Sequence, residues 1–221
     1  MFSRIDDYLD KLWDILYPKR CVRCASSGSW VCASCLASCV RVDSLTIGAV
    51  PNLTATYAVY AYTDTIRELV HEFKYRGVFS IGKWMAQQIA PLVSQDSYSV
   101  IVPVPMHRKR RRYRGYNQSE VIGRYLSNFT SIPMRGVLSR TRITSPQYML
   151  NGEERWRNVQ GAFVANVKLS GDLVLLVDDV LTTGATLSEC AKVLLESGAK
   201  DVHGVVFARA LLESSSADIT R

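Results

Sequence analysis

No stretch of this chain approaches the roughly 18 consecutive apolar residues of a membrane-spanning helix. The N-terminus lacks the uninterrupted apolar core of a secretory signal, because Asp6, Asp7 and Asp10 break up its apolar residues. There is no internal repeat and no low-complexity tract. A nucleotide-binding P-loop is missing too. Gly77-Val78-Phe79-Ser80-Ile81-Gly82-Lys83-Trp84 comes close, but Trp84 stands where Ser or Thr should hold Mg²⁺, and the segment before it reads as a helix rather than a strand. These absences point to a cytoplasmic protein with no membrane span. The 221 residues suit one α/β domain and a small appendage. Apolar residues make up 48% of them, enough for a sizeable core.

The most informative stretch present is Leu173 to Gly198. Leu173 to Val177 is a continuous apolar run, the pattern of a strand buried on both faces of a parallel sheet. Asp178 and Asp179 are expected to end it. Thr182-Thr183-Gly184-Ala185-Thr186 follows, and Thr186 with Glu189 is spaced as a capping box. Leu187, Cys190, Ala191 and Leu194 then share one face of a helix that should stop at Gly198. A loop at a helix N-terminus is a seat for a phosphate. Two carboxylates at the carboxyl end of a strand suit the vicinal hydroxyls of a ribose or a hydrated Mg²⁺. Together they describe a sugar-phosphate site. The segment 174–186, VLLVDDVLTTGAT, resembles the phosphoribosyl-pyrophosphate (PRPP) motif of type I phosphoribosyltransferases.

Five of the six cysteines fall within residues 21–39. Cys21-x2-Cys24 and Cys32-x2-Cys35 form two knuckles, each able to place two thiolates on one tetrahedral Zn²⁺. So short a segment cannot bury a core of its own, so metal binding would supply its folding energy. Plain reduced cysteines or an iron centre are the other readings, and a disulfide framework suits a cytosolic chain less well. Cys39 is a fifth thiol that could replace Cys35. Cys190 reads as core.

Residues 2–16 carry apolar side chains at helical spacing and predict a helix packed on the body. Residues 40–54 read as a connector. Thr56 to Tyr62 reads as a strand. Thr65 with Glu68 is a second capping-box spacing, for a helix burying Ile66, Leu69, Val70 and Phe73. Lys74 and Arg76 at its end serve either the helix dipole or a ligand. Another helix spans Ile81 to Val93, interrupted near Pro91. Ser99 to Val104 reads as a buried strand and Met134 to Leu138 as a short one. Arg140, Arg142 and Arg155 fall in a polar connector. Asn117 with Glu120 caps a helix with Val121, Ile122, Tyr125 and Phe129 inward. Val202 to Ala208 is a last strand, and 211–221 is a polar tail.

The net charge of +7 is local. Without Arg108, Lys109, Arg110, Arg111, Arg112 and Arg114 it would fall to +1. Interleaved with Tyr113 and Tyr116 and abutting a strand end, this run suits phosphate oxygens or single-stranded nucleic acid.

The order of these motifs carries a wider resemblance. Four N-terminal cysteines come first, then FKYRG at 73–77, VPVP at 102–105 and RGYNQS at 114–119. PQ at 146–147, ER at 154–155 and N-V-x-G-x-F at 158–163 precede the PRPP loop. This series resembles the ComF family, whose best-known members are competence proteins. The resemblance implies a type I phosphoribosyltransferase-like, mostly parallel α/β sheet flanked by helices. It also implies a small N-terminal zinc-ribbon-like module, here 1–45 ahead of a domain at 46–221. It places Cys21, Cys24, Cys32 and Cys35 on structural Zn²⁺. Thr182, Thr183, Gly184, Ala185 and Thr186 fall on the PRPP 5′-phosphate, and Asp178 and Asp179 at the ribose. Pro105, Met106 and His107 fall at the pyrophosphate loop. Arg110, Arg111, Arg112, Arg114, Gly115, Asn117 and Gln118 fall in a mobile loop closing over it, with Mg²⁺ accompanying PRPP. The implied role is DNA uptake in natural transformation beside a helicase-like partner. Two functions follow: phosphoribosyl transfer to an acceptor the sequence does not reveal, or a non-catalytic module that binds single-stranded DNA and its partner and uses the PRPP site as a sensor.

Overall fold

A computed structural model describes residues 18–47, 50–93, 98–142 and 152–210. The expectations for 2–16, for Pro146 and Gln147 and for 211–221 lie outside them. In chain order the elements are α1 (Ala33–Ala37), β1 (Arg41–Ile47), β2 (Ala55–Ala61), α2 (Asp64–Arg76), α3 (Phe79–Val93), β3 (Val100–Pro103), α4 (Arg108–Arg114), α5 (Gln118–Thr130), β4 (Leu138–Arg140), α6 (Gly152–Val159), β5 (Phe163–Ala165), β6 (Leu173–Leu181), α7 (Ala185–Glu196) and β7 (Asp201–Arg209).

Five strands form one sheet in the order β1-β2-β7-β6-β3, and β4 and β5 form an antiparallel pair apart from it. Only β1 runs antiparallel in the main sheet; β2, β7, β6 and β3 are parallel to one another. The apolar run of β6 explains its central place: Val174 to Val177 are fully buried. Alternation sends Leu175 and Val177 into one core with α2, α3 and α5, and Val174 and Leu176 into a second core with α7. Helices thus cover both faces, the arrangement of a mostly parallel α/β sheet. The parallel strands all present their carboxyl ends to the same edge, where open α/β sheets bind ligands.

Several local expectations change. The segment read as a connector contains β1, which pairs with β2 from Arg41↔Tyr60 to Ile47↔Ala55. β6 does not stop at its acids but continues through them to Leu181, because β7 offers backbone partners as far as Arg209. The basic run is not a loop: Arg108–Arg114 is helical, with His107 Nδ1 accepting from the Lys109 N–H and Gly115 closing it in the left-handed region. Neither Thr-x-x-Glu spacing forms a capping box. The N-cap of α2 is Thr63 and that of α7 is Gly184, so both helices start earlier than expected. Pro91 lies inside α3 without ending it, and the helix runs on to Val93. Phe129 is exposed, and Leu126 takes the inward place. Asn117 does cap α5, accepting from the Ser119 N–H. Among the described residues no helix is long and apolar enough to cross a membrane.

Candidate functional site

A cleft of about 740 Å³ opens at the carboxyl edge of the sheet. Its floor is the end of β6. Alternation along a strand would send Asp178 and Asp179 to opposite faces, yet both line the cleft. Asp178 accepts from the Ser119 hydroxyl at 2.7 Å and from the Asp179 N–H at 2.9 Å. Burial, and then the neighbouring Asp179 charge, push its carboxyl up to about 7. Asp179 is buried and accepts from Lys74 Nζ at 2.8 Å. Burial acts to lower the Lys74 ammonium, but Asp179 outweighs it and the lysine is held above its ordinary value. The edge thus carries one carboxylate that is already paired and one poised near neutrality.

Beyond the acids, β6 hands over to the loop before α7. Gly184 takes φ +81°, which a side chain rarely adopts, and a Cβ there would lie 3.0 Å from Val50. Glycine therefore allows the turn that lifts the N-terminus of α7 towards the cleft. Thr182 and Thr186 line it. Thr183 instead accepts from the Ala185 N–H, and Ala185 is buried. The first N–H groups of an α-helix have no intrahelical partner, and the helix dipole adds positive potential at that end. This is the geometry for a phosphate.

The β3 side supplies cations. Pro105, Met106, Arg110, Arg114, Asn117 and Gln118 all line the cleft. Asn117 is buried and donates to the Val104 carbonyl at 2.9 Å, which ties α5 to the end of β3. Arg114 donates to Gln118 Oε1 at 3.3 Å and lies 5.1 Å over the Tyr75 ring. His107, Arg111, Arg112 and Gly115 are not among the cleft-lining residues. His107 caps α4, Arg111 pairs with Glu120 at 2.9 Å, Arg112 is exposed, and Gly115 ends the helix.

Several cleft residues are not expected as site residues from the sequence or are left ambiguous by it, Lys74, Ser119, Arg140 and Arg155 among them. Lys74 follows Ile66 and Val70 at intervals of four, and that spacing places it on the buried stripe of α2. Ser119 closes the RGYNQS motif, and the sequence assigns it no role of its own. Arg140 and Arg155 come from the β4 strand and from α6, on what had read as a polar connector. The Arg140 guanidinium lies 5.1 Å over the Phe163 ring. No local pattern marks either as a ligand residue.

The second cluster lies near the start of the described chain. The sulfurs of Cys21, Cys24, Cys32 and Cys35 all fall within 4.8 Å of one another, with Cys24 and Cys32 at 3.5 Å. Ligand bonds of about 2.3 Å in a tetrahedron put sulfurs roughly 3.8 Å apart, so the set fits one zinc ion. The first knuckle is shaped by a turn in which the Cys21 N–H bonds the Ser26 carbonyl, and the second is the start of α1. Donation from Ser34, foremost among several partners, holds Cys32 down to about 5, while the bond to Cys32 leads in pushing Cys35 up to about 12. Thiols this crowded cannot all ionise without a cation among them. Cys39 is outside the set; its thiol donates to the Cys35 carbonyl at 3.3 Å. Trp30 and Val31 anchor the module on the α2 core.

A family model for the phosphoribosyl transferase domain matches residues 77–214. Competence protein F of Haemophilus influenzae is 27% identical over 201 residues, covering 86% of this chain and 84% of that protein. The DNA utilization protein YhgH of Salmonella typhi is 31% identical over 154 residues, 66% of this chain and 68% of its own. Competence protein ComFC of Bacillus subtilis is 30% identical over 172 residues, covering 76% and 67%.

Proposed function

The chain belongs to the ComF family and carries a phosphoribosyl transferase domain over 77–214, and from that premise we propose that it binds PRPP in the β6 cleft and acts in cytoplasmic DNA uptake. The observation that carries this reading is the juxtaposition of Asp178 and Asp179 with the Thr182–Thr186 turn at the N-terminus of α7. The turn takes the 5′-phosphate. The carboxylates accept from the ribose hydroxyls, Asp178 becoming fully ionised as they replace its lost solvent. Arg110 and Arg114, beside Pro105 and Met106, meet the pyrophosphate. Bound Mg²⁺ would add charge neutralisation at the diphosphate, and a cleft offering carboxylates alongside ligand phosphates fits such a hard cation. Zn²⁺ is the metal the four-thiolate cluster fits.

Transfer is a displacement at C1. The acceptor bonds to C1 while the C1–O bond to pyrophosphate breaks, and pyrophosphate leaves with the electron pair. The cations beside the leaving group favour that charge only if they are fixed in advance, and the Tyr75 and Gln118 contacts of Arg114 do that. The test is isothermal titration of zinc-loaded protein with PRPP and Mg²⁺ beside an Asp178→Ala/Asp179→Ala variant. Binding by the wild type and none by the variant is expected; a folded wild type that binds no PRPP overturns the reading.

A second reading has its own observation. α4 carries six cations, and Tyr113 among them is 84% exposed. A ring in solvent beside guanidinium groups suits stacking and phosphate pairing on single-stranded DNA, next to a helicase-like partner. Salt-sensitive DNA binding lost in an Arg108→Ala/Lys109→Ala/Arg112→Ala variant, whose positions do not line the cleft, with PRPP binding intact, would establish it. Unchanged DNA affinity would remove it.

A further inference from the structure

Sheet order says where an acceptor must enter. An in-line displacement brings the nucleophile to C1 from the side opposite the leaving group. On the PRPP reading, on which this inference rests, the ribose lies over the end of β6 and the pyrophosphate lies towards β3 and α4. The opposite side is the end of β7 and β2, since the order runs β2-β7-β6-β3. There the cleft is lined by Tyr62, just past β2 and bonded by its N–H to the Arg209 carbonyl at 2.7 Å, and by Arg67, Val70 and His71 of α2.

These α2 residues are in register with the ribose acids. Lys74 is fixed on Asp179 at 2.8 Å. His71 and Arg67 precede it by three and seven residues, one and two turns further along the same helix stripe, so all three face the cleft. His71 therefore lies about one turn along α2 from the lysine that holds Asp179, and Arg67 about one turn beyond. The imidazole is braced against the Tyr75 ring, 4.6 Å between centroids. Arg67 donates through Nη2 to Asp64 at 3.1 Å, an exposed pair that uses part of the guanidinium fork. The cleft-lining acids are Asp178 and Asp179 alone among the described residues. This end therefore offers a cation whose partner Asp64 does not line the cleft, an imidazole, a phenol and an apolar wall, and no cleft-lining carboxylate besides Asp178 and Asp179.

We propose that Tyr62, Arg67, Val70 and His71 form the acceptor subsite, and that the acceptor is a small N–H or O–H nucleophile carrying a carboxylate or phosphate about one helical turn, roughly 6 Å, from its nucleophilic atom. Arg67 takes the acidic group. His71 takes the proton: the acceptor N–H or O–H bond breaks as the new bond to C1 forms, pyrophosphate departs with the C1–O electrons, and the imidazolium passes its proton to water.

The probes are para-aminobenzoate, whose amine and carboxylate lie across one ring, and para-aminobenzamide, the same shape without the charge. Both are titrated into wild type holding PRPP and Mg²⁺. The carboxylate probe is expected to bind at least about tenfold more tightly than the amide, and Arg67→Ala to erase that preference. Equal binding of the two probes, or binding of neither, overturns the acceptor class. His71→Ala is expected to keep PRPP affinity, to lose at least about tenfold in pyrophosphate release with para-aminobenzoate, and to regain release on adding free imidazole. No release by the wild type, or release unchanged in the variant, overturns the proton assignment. PRPP affinity measured in parallel separates the premise from the inference. A wild type that binds no PRPP sinks the premise, while normal PRPP binding without charge preference sinks the subsite alone.

Discussion

The cysteine module and the β6 cleft both gather groups suited to a ligand, but they are held together differently. Between residues 18 and 40 only Cys21, Trp30 and Val31 are buried. The rest of that segment is a set of turns whose four sulfurs crowd one point. The cleft instead sits on strands whose side chains, from Val174 to Val177 and from Val205 to Ala208, are wholly buried on both sides. One region is a shape that a bound metal would make; the other is a shape that the core makes ahead of any ligand. Metal removal should therefore have the largest effect of any single change, and a local one. Structural zinc contributes about 10 kcal/mol or more to such small folds. Chelation is expected to release one zinc per chain and to leave the amides of 18–40 unprotected from hydrogen exchange. Those of β6 and β7 should stay protected and PRPP affinity should stay within about twofold. Loss of β6 protection at the same chelator concentration would break the comparison.

The cleft has its own structural debt in the Lys74–Asp179 pair. Asp179 has a side chain only 10% exposed and Lys74 one 24% exposed. Lys74→Met leaves a buried carboxylate without its cation and is expected to cost about 3–5 kcal/mol in urea unfolding. Adding Asp179→Asn should recover most of the loss, because the residual polar group carries no charge. A Lys74→Met variant as stable as wild type would mean that Asp179 is better solvated than its burial implies. The same pair bears on ligand binding, since it fixes one oxygen of the acid pair before any sugar arrives.

How much of this could be read from the chain alone follows from the range of the forces involved. The β6 run was legible because burial on both faces writes a continuous apolar string, and the α7 stripe because a buried helix face writes a period. The Cys-x2-Cys pairs were legible because metal ligands come from close in sequence. The acid pair and the threonine turn were legible as residue types at a strand end. What could not be read depends on partners distant in sequence. β1 reads as a connector because an antiparallel edge strand needs little apolar content. Arg140 and Arg155 reach the cleft only through the β4–β5 pair and the packing of α6. The helix starts at Thr63 and Gly184 are not legible because a Thr-x-x-Glu spacing lies two residues further on in each case. The basic run reads as a loop only by resemblance, whereas arginine and lysine are good helix formers and Gly115 supplies a stop.

The turn before α7 tests how far the core dictates the cleft. Gly184→Ala must hold a side chain at φ +81° and bring it to 3.0 Å from Val50. An expected loss of about 1–3 kcal/mol in thermal or urea unfolding combines backbone strain with that collision. Val50→Ala in the same chain removes the collision and leaves the strain, so the two substitutions should cost less together than the sum of each alone. Strict additivity would show that Val50 yields freely, and that the position of the turn is set by the glycine rather than by the packing beneath it.

The smallest effect expected is on pH dependence, and it separates the regions by sign. Asp178 is held up to about 7 by burial and by Asp179. Between the ordinary carboxylate range near 4 and about 7 the folded protein therefore binds more protons at this group than the unfolded chain does. Its contribution to stability is greatest below about 4 and is lost as pH rises to 7. Asp178→Asn removes that titration, so the variant should match the wild type near pH 4 and exceed it at pH 8. The gain is about 1 kcal/mol once water at the cleft mouth screens the charge, read from urea midpoints across the range. A variant less stable than wild type at pH 8 would mean that the Ser119 bond outweighs the repulsion. The cysteine cluster should change in the opposite sense over the same interval, since acid protonates thiolates and releases metal. Acidification would then loosen the module that its ligand holds while relieving the acid pair that the core holds.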